Sequence, residues 1–124
     1  MLIKELMTLN PVSLSPDESI NGAFQTLLKH HFRQAPVVEN GKLIGIVTDR
    51  DLRMAIVQTY VESSLNVRDV MRFDLVTISD DAEVEKAARI ICEKKFNALP
   101  VVSSTGDLVG IITTSDILKC ILNL

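Results

Sequence analysis

The sequence is poor in cysteine, glycine, proline and aromatic residues. Of its 124 residues, two are cysteine, five are glycine and four are proline, and aromatic residues make up 4% with no tryptophan. The low glycine and proline content excludes fibrous and linker-rich chains, and 47% hydrophobic residues exclude intrinsic disorder. Cys92 and Cys120 have no CxxC spacing and lie among apolar residues, so we predict that both are buried and reduced.

Long apolar runs and a basic excess are also missing. No run approaches the ~18 residues that span a bilayer, and the N-terminal stretch reaches Glu5 too early for the apolar core of a signal peptide. The net charge is −3, with 13 basic and 16 acidic residues spread over both halves, which argues against a nucleic-acid surface. We therefore expect a cytoplasmic protein that binds neither membranes nor nucleic acid directly.

Aliphatic residues, in contrast, are abundant. The length suits one folded body whose core needs no metal or disulfide. A positive mean hydropathy with so few aromatic residues leaves more aliphatic surface than a small monomer usually hides. We therefore expect self-association, as a homodimer through exposed helices.

The sequence contains an internal repeat, in which the second half matches the first. The identical aligned residues include Met7 and Met71, Pro36 to Val38 and Pro100 to Val102, Gly45 and Gly110, Thr48 and Thr113, and Asp51 and Asp116. We predict a first repeat at residues 1–60, a linker at 61–66 and a second repeat at 67–124. A unit of about 60 residues is marginal alone, so the repeats should form one folded module.

Each repeat predicts the element order β-α-β-β-α. The first strand is expected at Val12 to Leu14 and at Val76 to Ile78. Ser15 and Ser79 are predicted N-caps of the first helix, because Ser15-Pro16-Asp17-Glu18 has the form of a capping box. The order predicts an α+β fold (α/β by some schemes), with two repeats packed through their sheets about a pseudo-twofold axis.

The helix faces and the hairpin turns follow from apolar spacing and turn residues. Asn40-Gly41 predicts a two-residue hairpin turn, and Ser104-Thr105-Gly106 takes its place in the second repeat. The predicted buried helix positions recur at helical spacing. They are Ile20, Ala23, Phe24, Leu27 and Leu28, then Leu52, Ala55 and Ile56, and in the second repeat Val84, Ala87, Ala88, Ile91 and Cys92, then Ile117, Cys120 and Ile121.

The junction from the third strand into the last helix is the most informative motif. It has the form Gly-x-x-Thr-x-x-Asp at Gly45 to Asp51 and again at Gly110 to Asp116. One interpretation is structural, with Thr as N-cap and Asp as a capping-box acid. The other is a binding site, because a helix N-terminus attracts phosphate and a carboxylate accepts hydrogen bonds from vicinal hydroxyl groups. Its presence in both repeats favours two equivalent clefts between the halves.

These residues, twice in the same order, resemble a tandem pair of cystathionine-β-synthase (CBS) domains. The resemblance covers about residues 2–58 and 66–123 and rests on Met7 and Met71, the two Pro-Val-Val runs and the two Gly-x-x-Thr-x-x-Asp motifs. It implies a regulatory module whose clefts bind AMP, ADP, ATP or S-adenosylmethionine, with no obligatory cofactor and no metal. The implied ligand-binding residues are Ser13, Arg33, Thr48 and Asp51, and Thr77, Asn97, Thr113, Ser115 and Asp116.

The resemblance also implies a role for each of these positions. The motif Asp holds ribose, the Thr and the helix start serve phosphate, and the residue three before the repeat proline supplies a cation. That residue is Arg33 in the first repeat and Asn97 in the second. Asn97 carries no charge, so either Lys94 or Lys95 reaches in or Arg33 serves a ligand across the pseudo-twofold axis. We therefore predict unequal sites.

A catalytic function is not expected. His30 and His31 point about 100° apart on a helix and suit its C-terminal dipole, while Asp49 and Asp51 flank Arg50 at a helix start where acids are usual. The leading hypothesis is a non-catalytic sensor of an adenine nucleotide in signal transduction. The alternatives are a ligand-free dimerisation or scaffold module, and a regulatory fragment of a longer enzyme, channel, transporter or transcription regulator.

Overall fold

A computed structural model describes residues 1–58 and 65–122. The chain divides into two compact units. The first unit is Val12–Leu75, and the second unit combines Met1–Pro11 with Val76–Leu124. None of the described helices has the length and apolar character needed to cross a membrane.

The first unit has helices on a small antiparallel sheet. Its elements are α1 (Ile20–His30), β2 (Gln34–Glu39), β3 (Lys42–Thr48), α2 (Asp49–Gln58) and α3 (Val67–Val70). Strands β2 and β3 pair antiparallel, Leu14 bridges to Val37, and Arg72 bridges to Ile46 on the other side. The predicted strand Val12 to Leu14 is thus a single pairing residue, because the chain turns immediately after it around Pro16.

The second unit repeats this arrangement with longer edge strands. Its elements are a 3₁₀ turn (Ile3–Glu5), β1 (Thr8–Leu9), β4 (Ile78–Ser79), α4 (Val84–Lys94), β5 (Ala98–Val102), β6 (Leu108–Thr113) and α5 (Thr114–Leu122). The sheet order is β1-β6-β5-β4, with β4 parallel to β5 and the other pairs antiparallel. The expected α+β class is confirmed.

Each unit includes the leading segment of the other repeat. In the second unit, Ile3 is fully buried and its N–H donates to the carbonyl of Ala82 at 2.9 Å. In the first unit, the equivalent Val67 is fully buried and its N–H donates to the carbonyl of Glu18 at 2.9 Å. The two leading segments are thus exchanged. The repeat boundaries at 1–60, 61–66 and 67–124 stay a prediction, and residues 59–64 and 123–124 lie outside the described residues.

This exchange explains why the predicted helix starts are wrong. The α1 helix begins at Ile20, and its N-cap is Ser19, which accepts from the N–H of Gly22 at 3.0 Å. The Ser15 motif does form a capping-box contact, because Ser15 N–H donates to Glu18 at 2.6 Å, but it closes a turn. The carbonyl groups of Pro16 and Glu18 accept from the exchanged segment instead of continuing a helix.

The second repeat departs from the prediction in the same way. The α4 helix begins at Val84 with Glu83 in the N-cap position, and not at Ser79. The Ser79 hydroxyl accepts from the N–H of Asp81 at 3.2 Å, and the carbonyl groups of Asp80 and Ala82 accept from the segment around Ile3.

The hairpin prediction is confirmed at Asn40-Gly41. The two residues have φ of 54° and 80° and connect β2 to β3 directly, as a type I′ turn requires. In the second unit the chain turns between β5 and β6 with Gly106 at φ 85°.

Each unit has its own apolar core. The first is centred on Leu27, Val37, Val47, Leu52 and Val67, and the second on Ile3, Ala87, Leu99, Val101 and Ile112. Three predicted core positions are wrong and five are only partly right, because they lie at the margins of their helix faces. Leu28, Cys92 and Ile121 are exposed, and the half-buried positions are Phe24, Ile56, Ala88, Ile117 and Cys120. Both cysteines have free thiols, but the prediction that both are buried is wrong, since Cys92 is exposed and Cys120 is half-buried.

We expect Gly110→Ala to lower the free energy of unfolding by about 1–3 kcal/mol, the usual cost of overpacking. A β-carbon at Gly110 would lie 2.7 Å from Sδ of Met7 and 2.9 Å from the carbonyl oxygen of Thr8. The methionine can move, but the carbonyl belongs to the paired strand β1. Urea unfolding measures the loss, and adding Met7→Ala should recover only part of it. A Gly110→Ala protein as stable as the wild type would contradict this packing.

Candidate functional site

In each unit a threonine joins a strand to the helix that follows it, Thr48 between β3 and α2 and Thr113 between β6 and α5. The hydroxyl of Thr48 accepts from the backbone N–H of Asp51 at 3.0 Å, and that of Thr113 accepts from the N–H of Asp116 at 3.2 Å. Both threonines are therefore N-caps that satisfy one free donor of the helix start. Their further role toward a ligand stays a prediction.

A backbone hydrogen bond brings the residue before the repeat hairpin to the same helix start. The carbonyl of Arg33 accepts from the N–H of Asp49 at 2.8 Å, and the carbonyl of Asn97 accepts from the N–H of Thr114 at 3.0 Å. Both side chains are exposed. In the part of the chain that the structure describes, neither forms an ion pair or a side-chain hydrogen bond, so the Arg33 guanidinium can contact a ligand.

Asp116 closes a reciprocal capping box. Its Oδ2 accepts from the backbone N–H of Thr113 and from the Thr113 hydroxyl, each at 2.9 Å. Among residues 1–58 and 65–122, nothing donates to Oδ1. One carboxylate oxygen is thus held in place by the helix start, while the other can accept a hydroxyl group.

Asp51 has a different partner. Its carboxylate accepts two hydrogen bonds from the Arg72 guanidinium, from Nε to Oδ2 at 3.0 Å and from Nη2 to Oδ1 at 3.1 Å. The Arg72 guanidinium holds the pKa of the Asp51 carboxyl below its ordinary value; partial burial opposes this effect and Thr48 adds to it. The pKa of Arg72 is raised by the same contact.

Arg72 is the residue of this site that the sequence analysis missed. Its position in the repeat corresponds to Thr8, because each residue directly follows the repeated methionine. Arg72 bridges to Ile46 in β3, and Thr8 pairs with Ile111 in β6. The two motif acids therefore differ because an arginine stands where the other repeat has a threonine. The sequence does carry a signal for this difference, because a basic residue follows the methionine of the second repeat and a threonine follows that of the first.

The side chains of Ser13, Thr77 and Ser115 take part in none of these hydrogen bonds. Ser13 is exposed beside Leu14, Thr77 is half-buried beside Ile78, and Ser115 is exposed in the first turn of α5. No hydrogen bond or ion pair within the described ranges joins the side chain of Ser13 or Thr77 to the threonine junctions. Lys94 and Lys95 are exposed at the end of α4, and their contact with a ligand stays a prediction.

The residues that could suggest catalysis have structural partners. The ring of His30 stacks on Phe32 at a centroid distance of 5.2 Å, and His31 ends α1 in a left-handed conformation with φ 57°. Asp49 pairs with Arg53 at 3.4 Å, one helical turn along. Over the described ranges, no group of three or more His, Cys, Asp or Glu side chains could hold a metal ion.

Comparison with known proteins gives consistent matches. The CBS domain model matches residues 3–58 and again 67–123. Inosine-5′-monophosphate dehydrogenase of Korarchaeum cryptofilum is 34% identical over 106 residues, which cover 86% of this chain but 21% of that enzyme. The chain thus spans about a fifth of the length of that relative.

Solved structures that are similar to this chain include complexes with adenosine compounds. CBSX2 of Arabidopsis thaliana, in complex with AMP, superimposes with a TM-score of 0.85 at 28% identity, covering 98% of this chain and 96% of that one. The CBS domain pair of protein MJ0100, in complex with 5′-methylthioadenosine and S-adenosyl-L-methionine, has a TM-score of 0.79 at 27% identity, with 99% and 97% coverage.

Proposed function

This chain belongs to the CBS domain family, and from that premise we propose that it is a non-catalytic sensor of an adenosine-containing ligand such as AMP, ADP, ATP or S-adenosylmethionine. The observation that supports this most is the junction at Thr113 to Asp116. A fixed carboxylate there keeps one oxygen open beside a capped helix start, the combination that vicinal hydroxyl groups and a phosphate require. The ligands of the two structural relatives contain both an adenine and a ribose.

The ligand would contact each unit through the same set of positions. Asp51 and Asp116 would accept the ribose hydroxyl groups, while Thr48, Thr113 and Ser115 with the helix start would face the phosphate. The chain beside the first strand, at Ser13 and Thr77, would contact the adenine. Arg33 would bind phosphate in the first unit, and the uncharged Asn97 would take its place in the second.

We expect Arg33→Ala to weaken AMP binding at the Asp51 site by about tenfold to a hundredfold, because a charge-assisted phosphate contact contributes ~1.5–3 kcal/mol. Adenosine, which has no phosphate, should bind almost unchanged. NMR titration that follows the Asp51 amide measures both affinities. Arg89→Ala, which removes an exposed cation from α4, is the matched control. Equal AMP affinity in the two variants would refute the role of Arg33.

The proposal includes a cytoplasmic homodimer that transmits ligand occupancy. Large apolar side chains are exposed on α2, where Met54 is 51% and Val57 is 73% exposed, and on α5, where Leu118 is 52% and Ile121 is 69% exposed. Burying such residues against a second copy would remove apolar surface from water. A mass near that of a monomer in light scattering would contradict this part of the proposal.

Thermal melting with a ligand panel tests the function itself. The panel is AMP, ATP, S-adenosylmethionine, NAD and GTP, each with and without Mg²⁺. A ligand at a hundred times its dissociation constant stabilises the folded chain by ~2.7 kcal/mol, which is about 5–10 °C in Tm at this size. If no member of the panel shifts the Tm, the ligand-free scaffold hypothesis replaces the sensor.

A further inference from the structure

The two motif acids, Asp51 and Asp116, are not equally open to a ligand. Both oxygens of Asp51 accept from the Arg72 guanidinium, whereas Asp116 bonds only to its own helix start among the described residues. Resting on the function proposed above, we propose that the Arg72 side chain competes with a ligand for the Asp51 carboxylate. A ribose must displace the Arg72 guanidinium to bind at Asp51.

Backbone hydrogen bonds hold Arg72 beside β3, where its side chain reaches the Asp51 carboxylate that a ribose would use. The N–H of Arg72 donates to the carbonyl of Ile46 at 2.7 Å, and the N–H of Ile46 donates to the carbonyl of Arg72 at 3.0 Å. Met71, the preceding residue, is 7% exposed and lies against Gly45, the position at which a β-carbon would be 2.8 Å from Sδ. Arg72 therefore holds a fixed edge position of the sheet beside Ile46, and Ile46 stands two residues before Thr48 in β3.

The side chains allow the pair to open. The Arg72 side chain is 58% exposed and that of Asp51 is 21% exposed, so water can replace the guanidinium when it leaves. The carboxylate has few acceptor positions, and a bidentate guanidinium uses one on each oxygen in the plane of the group. Each oxygen of Asp51 is therefore partly occupied, whereas Oδ1 of Asp116 keeps both of its acceptor positions among the described residues, so two neighbouring ribose hydroxyl groups meet a free oxygen only at Asp116.

The consequence is a lower affinity at Asp51 for any ribose ligand, charged or not. An exposed ion pair contributes little, and the bidentate geometry places this one toward the upper end of that range. Removing Arg72 should therefore tighten binding at Asp51 by about threefold to fivefold. The site at Asp116 should not change, since Thr8 stands at the position equivalent to Arg72 in the second unit.

Adenosine is the appropriate probe because it carries the ribose but no phosphate charge. In ¹H–¹⁵N NMR titrations of the intact chain, the amides of Asp51 and Asp116 report the two sites separately. We expect Arg72→Ala to bind adenosine about three- to fivefold more tightly at Asp51 and equally at Asp116. Arg72→Gln, which keeps a hydrogen-bond donor without the charge, should lie between the wild type and Arg72→Ala. Arg53→Ala, which frees Asp49 instead of Asp51, should match the wild type at both sites.

Salt supplies a second readout that a purely structural role of Arg72 would not change. Raising the ionic strength from about 10 mM to about 150 mM screens the exposed ion pair, so adenosine binding at Asp51 should tighten in the wild type and stay constant in Arg72→Ala. Equal adenosine affinities at Asp51 in these two proteins, or binding at Asp116 alone in both, would overturn the role of Arg72 and leave the sensor function standing. If adenosine, AMP, ATP and S-adenosylmethionine all fail to shift either amide in every variant, the proposed function itself is overturned.

Discussion

Asp116→Ala is expected to weaken AMP binding in the second unit by at least about 100-fold. The Asp116 carboxylate would accept the ribose hydroxyl groups, and a hydrogen bond to a charged acceptor contributes ~1.5–3 kcal/mol. Two such bonds correspond to a loss of about 100-fold to 10,000-fold in affinity. Titration of the intact variant with AMP, followed at the amides of α5, measures this loss.

The control must separate lost binding from lost helix capping, because Asp116 also bonds to Thr113. Removing a cap costs about 1 kcal/mol of stability, so titrations are run well below the Tm of the variant. Asp81→Ala removes an acid of the same unit that is paired with Lys4 and is 69% exposed. It should bind AMP within about threefold of the wild type. If Asp116→Ala binds AMP as well as Asp81→Ala does, Asp116 is not the ribose acceptor.

Ile3→Ala is expected to lower the free energy of unfolding by about 2–5 kcal/mol, the usual loss for a fully buried aliphatic side chain. Ile3 is 0% exposed and packs in the second core with Ile78, Leu99 and Ile112, which are also buried. The Tm should fall by roughly 10 °C or more. Urea unfolding and thermal melting measure the change.

Lys4→Ala is the matched control, since it alters the neighbouring exposed position. Its ion pair with Asp81 spans 2.9 Å between side chains that are 50% and 69% exposed, so its loss should cost at most about 1 kcal/mol. Equal stabilities of Ile3→Ala and Lys4→Ala would show that the leading segment does not pack in the second unit, and would contradict the exchange of segments.

The features that depend on local sequence were predictable. The turn at Asn40-Gly41 needs two adjacent positive φ values, which few other residue pairs tolerate, and the structure has them there. The threonine caps at Thr48 and Thr113 follow in the same way from a strand that ends next to a helix. These elements are decided within a few residues, so the sequence pattern alone is sufficient.

The exchange of the leading segments was not predictable, because the two repeats have such similar leading segments that the sequence cannot distinguish exchange from no exchange. Ile3 and Val67 are chemically alike and fit either core, so the pattern cannot tell which copy each segment joins. The wrong helix start at Ser15 follows from this ambiguity. A capping-box sequence closes a helix or a turn equally well, and here the distant N–H of Arg68, which donates to Pro16, decides for the turn.

The same limit applies to the candidate site. The roles of Asp51 and Asp116 looked equivalent because their motifs match, and only the segment that carries Arg72 makes them different. That contact joins residues 21 positions apart along the chain. Its presence beside Asp51 depends on the exchange, which only the three-dimensional structure reveals.

Isothermal titration of the intact wild-type chain with AMP tests the sensor function most directly. We predict saturable binding that adenosine and S-adenosylmethionine compete for, and that Asp116→Ala weakens. The absence of saturable heat for AMP, ATP and S-adenosylmethionine at millimolar concentration, in a chain shown to be folded, would contradict the function proposed for this protein.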